Sequence, residues 1–348
     1  MSIPVFEVLE PGLLTTVQDL GRIGYQRYGV PVSGGMDAFS LKIANLLVAN
    51  DIDKAVLEIT GLGLMKLKIL NRTVIALTGA DLTPMIDTSP LPMWRAIEVK
   101  KGVVLSLGET RRGFRAYLSI AGGIDIPLVL GSRSTYCKAK IGGIEGRPLR
   151  KGDIISSFLS KQPLESITHR YLPEDFIPDL TKEIEVRVIM GPQDDYFKKE
   201  GIQTFLNSWY RVSPESDRTG YRLSGPRITH KDKTDIITDA IPLGAIQVPG
   251  DGLPIILMAD RGPTGGYPKI ACILSVDVDK VGQLKPGDKI KFKKIDIKEA
   301  HELLRAENEK LLKINNILNE QSKIPAKKRY RVSIEGETYE VTVEELPI

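Results

Sequence analysis

The sequence predicts a mainly β protein: two β-barrel domains with a few short helices, followed by a C-terminal helix and β-hairpin tail. The barrel architecture rests on two observations. Most of residues 1–293 reads as short β-branched runs cut by Gly and Pro, the punctuation of barrels and sandwiches. The two halves of that region also echo each other, and 348 residues leave room for two domains of about 100–200 residues each.

The strand runs include Thr73-Val-Ile-Ala-Leu, Val103-Val-Leu-Ser-Leu, Ala116-Tyr-Leu-Ser-Ile, Glu185-Val-Arg-Val-Ile and Ile255-Ile-Leu-Met. Apolar residues at helical spacing behind Asp37 predict a helix to Val48, and Asp194 to Phe205 is a second helical segment. Gly102 to Gly108 echoes Gly244 to Gly250, Gly122-Gly123 echoes Gly265-Gly266, and Leu149-Arg-Lys-Gly-Asp-Ile-Ile echoes Leu284-Lys-Pro-Gly-Asp-Lys-Ile. Each Leu-x-x-Gly-Asp-x-Ile segment reads as a turn feeding a closing strand. The expected domains are 1–165 and 166–295, joined around the polar, proline-bearing stretch Gln162 to Thr181. Residues 296–348 form the tail. Ile297, Ala300, Leu304, Glu307, Leu311, Ile314 and Leu318 make an a/d-like seam, and Tyr330 to Val343 has the alternation of a hairpin. Such a seam is marginal alone, so the tail is expected to pack against another chain.

Composition excludes several classes. Hydrophobic residues at 42% and charged residues at 26% are ordinary for a soluble domain, and a net charge of +4 is too mild to argue for nucleic acid. No apolar run approaches the roughly 20 residues of a membrane span. Cys137 and Cys272 form no CxxC and no secretory leader is visible, which fits the cytoplasm. His169, His230 and His301 are dispersed, against a metal site or a Ser-His-Asp triad, and no phosphate-binding P-loop occurs.

Five segments carry candidate chemistry. In Gln18-Asp-Leu-Gly-Arg-Ile-Gly-Tyr, Arg22 offers a planar fork to a carboxylate or phosphate and Tyr25 a hydroxyl with a stacking face. The plainer reading is a surface turn in which Asp19 caps and pairs with Arg22. Ser33-Gly-Gly-Met-Asp37 leads into the first helix, where Asp37 caps and free N–H groups can bind an anion. Gly131-Ser132-Arg133-Ser134-Thr is a hydroxyl-rich loop with one Arg, equally readable as a self-bonded turn. In Asp217-Arg218-Thr-Gly-Tyr221-Arg222, two guanidiniums around a Gly turn favour a shared anion, unless both are simply solvated. In Gln247 to Pro268, Asp251 and Asp260 flank an apolar run, and Thr264-Gly265-Gly266-Tyr267 follow. Glycine permits close approach to a ligand. The corresponding Ala121-Gly-Gly-Ile of the first half lacks the Thr and Tyr, so Gln247 to Tyr267 reads as the rim of a site.

Those segments, in their order from about Phe6 to Phe292, resemble allophanate hydrolase subunit 2, also called the biotin-dependent carboxyltransferase A/B family. The resemblance implies the cyclophilin-like barrels and a site shared with a subunit-1 (B-type) partner. It further implies the C subunit of an ATP-dependent 5-oxoprolinase, with a lactam-hydrolase A subunit next to it and ATP bound through the complex. On this reading the chain alone has no turnover. Two alternatives are a biotin-dependent carboxyltransferase half, as in urea carboxylase, and a non-catalytic antagonist of a kinase inhibitor. Met65-Lys66 imitates a biotin acceptor but sits in an apolar alternation, as a strand with an outward Lys. The final hairpin is similar to the start of a biotin-carrier domain. The sequence stops at Ile348 without an acceptor lysine after it, so biotin is expected on another protein.

Overall fold

A computed structural model describes residues 2–61 and 63–322, and the backbone of 328–334 and 337–343. The protein is mainly β. Strands of the first half divide between two sheets. One runs Ile154–Phe158, Ser2–Pro11, Met65–Ile69, Val104–Leu107, Met85–Ile86, Ser89–Pro90; the other runs Thr15–Gln18, Val56–Thr60, Arg112–Ile120, Thr73–Asp81, Ala96–Val99. Their facing sides share one apolar core containing Phe6, Leu57, Ile59, Leu67 and Leu118. In the second half seven strands close into a barrel: Glu183–Met190, Lys269–Ile273, Ala245–Gln247, Ile255–Leu257, Gly220–Ser224, Tyr210–Val212 and Lys289–Lys294. The last strand returns to the first in parallel, pairing Val186 with Phe292.

Among the described residues five α-helices accompany the strands: α1 (Ala38–Leu47), α2 (Leu164–Ile167), α3 (Lys199–Asn207), α4 (Ser275–Gly282) and α5 (Ile297–Gln321). Asp37 caps α1 as its position predicts, accepting from the Ser40 N–H at 2.8 Å. The segment from Asp194 is not one helix. A 3-10 turn at Asp194–Tyr196 stops at Phe197 and Lys198, whose extended backbone precedes α3.

Two of the three internal echoes are structural. Gly152 and Gly287 both take left-handed φ, +88° and +95°. In each turn the following Asp accepts a backbone N–H three residues upstream, Arg150 to Asp153 at 2.7 Å and Lys285 to Asp288 at 3.0 Å. Gly102 and Gly244 likewise turn the chain into Val104–Leu107 and Ala245–Gln247. The third echo fails. Gly122 and Gly123 are left-handed after a strand, whereas Gly265 and Gly266 are not.

The tail helix corrects an expectation. Ile314 and Leu318 are fully buried against Phe39, Ile43 and Leu47 of α1, and Ala300 against Leu274 and Ile295. So α5 spans its own protein's two halves instead of waiting for another chain. Buried Arg170 fastens it, donating to Ser322 Oγ at 2.6 Å, to Asn319 Oδ1 at 3.1 Å and to the Leu46 carbonyl of α1 at 2.7 Å. The hairpin exists as Lys328–Ile334 paired with Glu337–Val343, Tyr330 opposite Val341. Its turn and the final residues lie outside the described residues.

Candidate functional site

Strand alternation sets the site's position. Leu57, Ile59, Ala116 and Leu118 face the core, so Glu58, Arg115 and Tyr117 face the other way. Glu58 and Tyr117 are also direct cross-strand partners. This outer face is covered by α1, with Leu41 and Ala44 packing on Val56 and Tyr117, and by the second half.

From the second half comes Arg218. Beyond the paired strands Gly220–Ser224 and Ile255–Leu257, the chain stays laddered, with Met258 N–H donating to the Thr219 carbonyl and Asp260 N–H to the Arg218 carbonyl. That places Asp260 beside Arg218, whose Nε donates to Asp260 Oδ2 at 3.0 Å. Its Nη1 donates to Glu58 Oε1 across the junction, and its Nη2 to the Gly34 carbonyl at 2.5 Å. Burial opposes the charged guanidinium, but Asp260 and then Glu58 outweigh it and hold it above its ordinary range. Glu58 Oε2 accepts from the Tyr117 hydroxyl at 2.9 Å and from the Met36 N–H at 2.7 Å. Arg115 donates to the Tyr221 hydroxyl at 2.5 Å and to the Gly282 carbonyl at 2.6 Å. Burial, with the Glu58 charge, pushes the Tyr117 phenol well up, and burial raises Tyr221.

So Arg218 and Tyr221 belong to a buried clasp between the halves. Arg222 does not join them. It is exposed, 3.9 Å from Glu215, and the two arginines share no anion. The anions of Arg218 are the protein's own.

The start of α1 is likewise filled from within. Asp279 of α4 accepts from the Ala38 N–H at 2.8 Å and the Phe39 N–H at 3.0 Å, where an external anion was expected. Gln283 completes the junction: Oε1 accepts from the Phe114 and Arg115 N–H groups, both at 3.0 Å, while Nε2 donates to Asp37 Oδ2 at 2.7 Å. Burial and then the Asp37 charge push the Asp279 carboxyl up to about 7, against the pull of the two helix N–H groups. Burial also raises Asp37.

A second lock joins Gln18 to Tyr25 with Gly131 to Thr135. Asp19 accepts from Ser132 Oγ at 2.6 Å, Ser134 Oγ at 2.5 Å and the Arg133 N–H at 2.5 Å. Arg22 is fully buried and donates to the carbonyls of Val129 at 2.9 Å and Ser134 at 2.8 Å. The surface turn with an Asp19–Arg22 pair is therefore not what forms. Arg133 is half-buried and donates to the Ile126 carbonyl at 2.8 Å. Ser33, at φ +56°, is buried and its N–H donates to the Ala259 carbonyl at 3.1 Å.

The expected rim divides. Asp251 is exposed and holds a turn through the Leu253 N–H at 3.0 Å, remote in role from buried Asp260. Gln247 is buried and donates to the Tyr267 carbonyl at 3.1 Å. Gly265 packs closely on side-chain ends, a Cβ there standing 2.7 Å from Ile241 Cδ1 and 2.8 Å from Gln247 Nε2. Thr264 and Tyr267 are exposed, and Gly266 is half-buried beside them. Tyr25 is half-buried with its ring 6.4 Å from Tyr28, while Lys138 bridges outward to Thr219 Oγ1 at 2.7 Å. The solvent-facing polar groups are thus few, and none forms a nucleophile–base pair in the contacts described.

Residues 28–294 match the family model described as carboxyltransferase domain, subdomain A and B. This chain belongs to that carboxyltransferase family. Over 296 residues it is 35% identical to the C subunit of 5-oxoprolinase from Escherichia coli, covering 85% of this chain and 93% of that one. It is 38% identical to urea amidolyase of Saccharomyces cerevisiae, spanning 82% of this chain but only 16% of the yeast protein. The Kluyveromyces lactis urea carboxylase structure superposes with a TM-score of 0.83 at 37% identity, over 89% of this chain and 29% of that one.

Sequence reading passed over half of the clasp: Glu58, Arg115, Tyr117, Asp279 and Gln283. A signal existed for two of them. Glu58 sits alone in Val56-Leu-Glu-Ile-Thr and Arg115 precedes Ala116-Tyr-Leu, and a charge inside an apolar strand run demands a partner.

Proposed function

We propose that the chain acts as the C subunit of an ATP-dependent 5-oxoprolinase, opening the 5-oxoproline lactam to glutamate together with a B-type partner and a lactam-hydrolase A subunit. The observation that carries this reading is the alignment over 93% of the corresponding E. coli protein. The geometry is in keeping with it. Arg218 and Asp260 are consumed in joining the two halves and Asp19 and Arg22 in a lock within the first, and what remains at the surface is a set of polar groups for a partner to complete.

An unactivated amide resists water, so the ATP γ-phosphoryl goes to the lactam oxygen with release of ADP. One water adds at that carbon, the ring C–N bond breaks as the nitrogen takes a proton to leave an acyl phosphate, and a second water displaces phosphate to give glutamate. Such chemistry asks mainly for positioning and for donors aimed at developing charge. This chain's share is a rigid surface: the Thr264–Tyr267 strand end, Tyr25, and the Lys138–Thr219 pair. Its sequence contains no phosphate-binding P-loop, so the nucleotide is assigned to the complex.

A second reading has its own support. The likeness to urea carboxylase at a TM-score of 0.83 favours half of a biotin-dependent carboxyltransferase, with biotin carried by another protein. Co-purification with the A and B partners, followed by assays with 5-oxoproline plus ATP and with urea, bicarbonate, ATP and a biotinylated carrier, separates the two. Glutamate formation supports the first reading. Carboxylation of urea without glutamate formation would replace it with the second.

A further inference from the structure

Away from the clasp, a cavity of about 450 Å³ opens between the first-half sheets and the segment joining the halves. Its walls include Trp94, Met85, Met93 and Leu180, and its mouth carries Arg111 and Arg112. That volume lies within the range of small-molecule sites, about 300–1,000 Å³. Other arginines of the protein, such as Arg72, Arg147, Arg187 and Arg218, are paired with carboxylates, but among the described residues no carboxylate pairs with Arg111 or Arg112. Asp81, the acid of the lining, accepts instead from the Thr83 N–H at 2.9 Å. Arg112 lies directly across the ladder from Asp81, and among the described residues no hydrogen bond or ion pair joins Asp81 to either guanidinium.

The backbone around this cavity is unusual in a way the fold does not demand. Thr83 at φ +49° and Trp94 at φ +59° both occupy the left-handed region, which is sparse for a β-branched and a bulky residue. The ladder between Arg112–Ile120 and Thr73–Asp81 also shifts register between Arg112 and Ala116. Such an irregularity re-aims side chains, and local strain gathers where ligands are held. Arg112 sits at the register shift.

We propose that this cavity binds a small molecule carrying a carboxylate or phosphate on an apolar body. The guanidiniums of Arg111 and Arg112 take the oxyanion, and the Trp94, Met85 and Met93 wall takes the body. This site is separate from the polar rim assigned above and does not depend on the 5-oxoprolinase reading.

The test uses the full chain with Trp209→Phe, which leaves Trp94 as the one tryptophan of the two in the sequence. Its fluorescence is titrated with phenyl phosphate, 3-phenylpropionate and neutral 3-phenylpropanamide. The expected result is saturable binding of at least one anion, at least tenfold weaker for the neutral amide and for the Arg111→Gln, Arg112→Gln double variant. The double variant Lys298→Gln, Arg305→Gln on α5 serves as the matched charge control and leaves binding unchanged. Which anion binds decides between a carboxylate and a phosphate. No saturable binding of either anion, or equal binding by the double variant, overturns the proposal.

Discussion

Glu58 and Arg218 stand 160 positions apart in the sequence and meet as an ion pair whose side chains are 2% and 8% exposed. Asp260 holds the other edge of the same guanidinium. Charges buried this deeply are tolerable only when paired and hydrogen-bonded, so the pair fixes how the two halves meet. It gives the Asp-Arg-Thr-Gly-Tyr segment a role in joining the halves.

Removing Arg218 leaves Glu58 and Asp260 buried without their cation. Arg218→Ala is expected to destabilise the fold by about 3–5 kcal/mol, read by urea denaturation. Arg218→Lys rescues little, because an ammonium cannot reproduce a fork that serves Glu58, Asp260 and Gly34 together. Arg222→Ala, at an exposed site, stays within about 0.5 kcal/mol. Equal effects at the two arginines would refute the clasp.

Asp279 gives the junction a pH dependence. Its folded pKa near 7 lies above the value of about 3.9 for a free Asp. Between those values the folded protein holds a proton that the unfolded chain releases. This contribution to stability is full below about pH 4 and is lost as pH rises through about 7. Asp37 and Glu58 face the site as acids and Lys42 as the nearby cation. Asp153, held low by Arg147, runs oppositely and loses its contribution as pH falls. Asp279→Asn removes the first titration, so the stability of the wild type relative to this variant should fall from pH 5 to pH 8. A pH-independent difference would argue against it.

Helix α5 should behave as part of the fold. Leu318→Ala or Ile314→Ala empties a fully buried position and is expected to cost about 2–5 kcal/mol. Leu312→Ala, at a residue 65% exposed, should change little. Deleting residues 296–348 then uncovers α1 and Trp94 and lowers the melting temperature even without a partner. A truncated chain as stable as the whole would restore the view of the tail as a pure docking appendage.

Local chemistry was legible in the sequence: the strand runs, the Asp37 cap, and the paired Gly-Asp turns at Gly152 and Gly287. Each depends on neighbours within a few residues. The clasp was not, because its members lie on separate strands and only the fold brings Glu58, Arg115 and Arg218 together. Arg22, Ser132, Ser134, Arg218 and Tyr221 stand in distinctive motifs, and their partners in the structure are Asp19, backbone carbonyls, Glu58, Asp260 and Arg115. A polar residue in a distinctive motif announces that it has a partner, and not whether that partner is a ligand or the protein itself. The α5 seam was misassigned for a related reason: an apolar stripe does not reveal what covers it, and the protein's own α1 buries Ile314 and Leu318 while Ile297 and Leu304 stay exposed.

The most direct measurement is the coupling of glutamate and phosphate release in a complex reconstituted from this chain with its A and B partners. With 5-oxoproline and ATP, both products are expected to rise together only when this chain is added, while the chain alone releases neither. Undiminished glutamate formation without this chain, or turnover by the chain alone, would contradict the account.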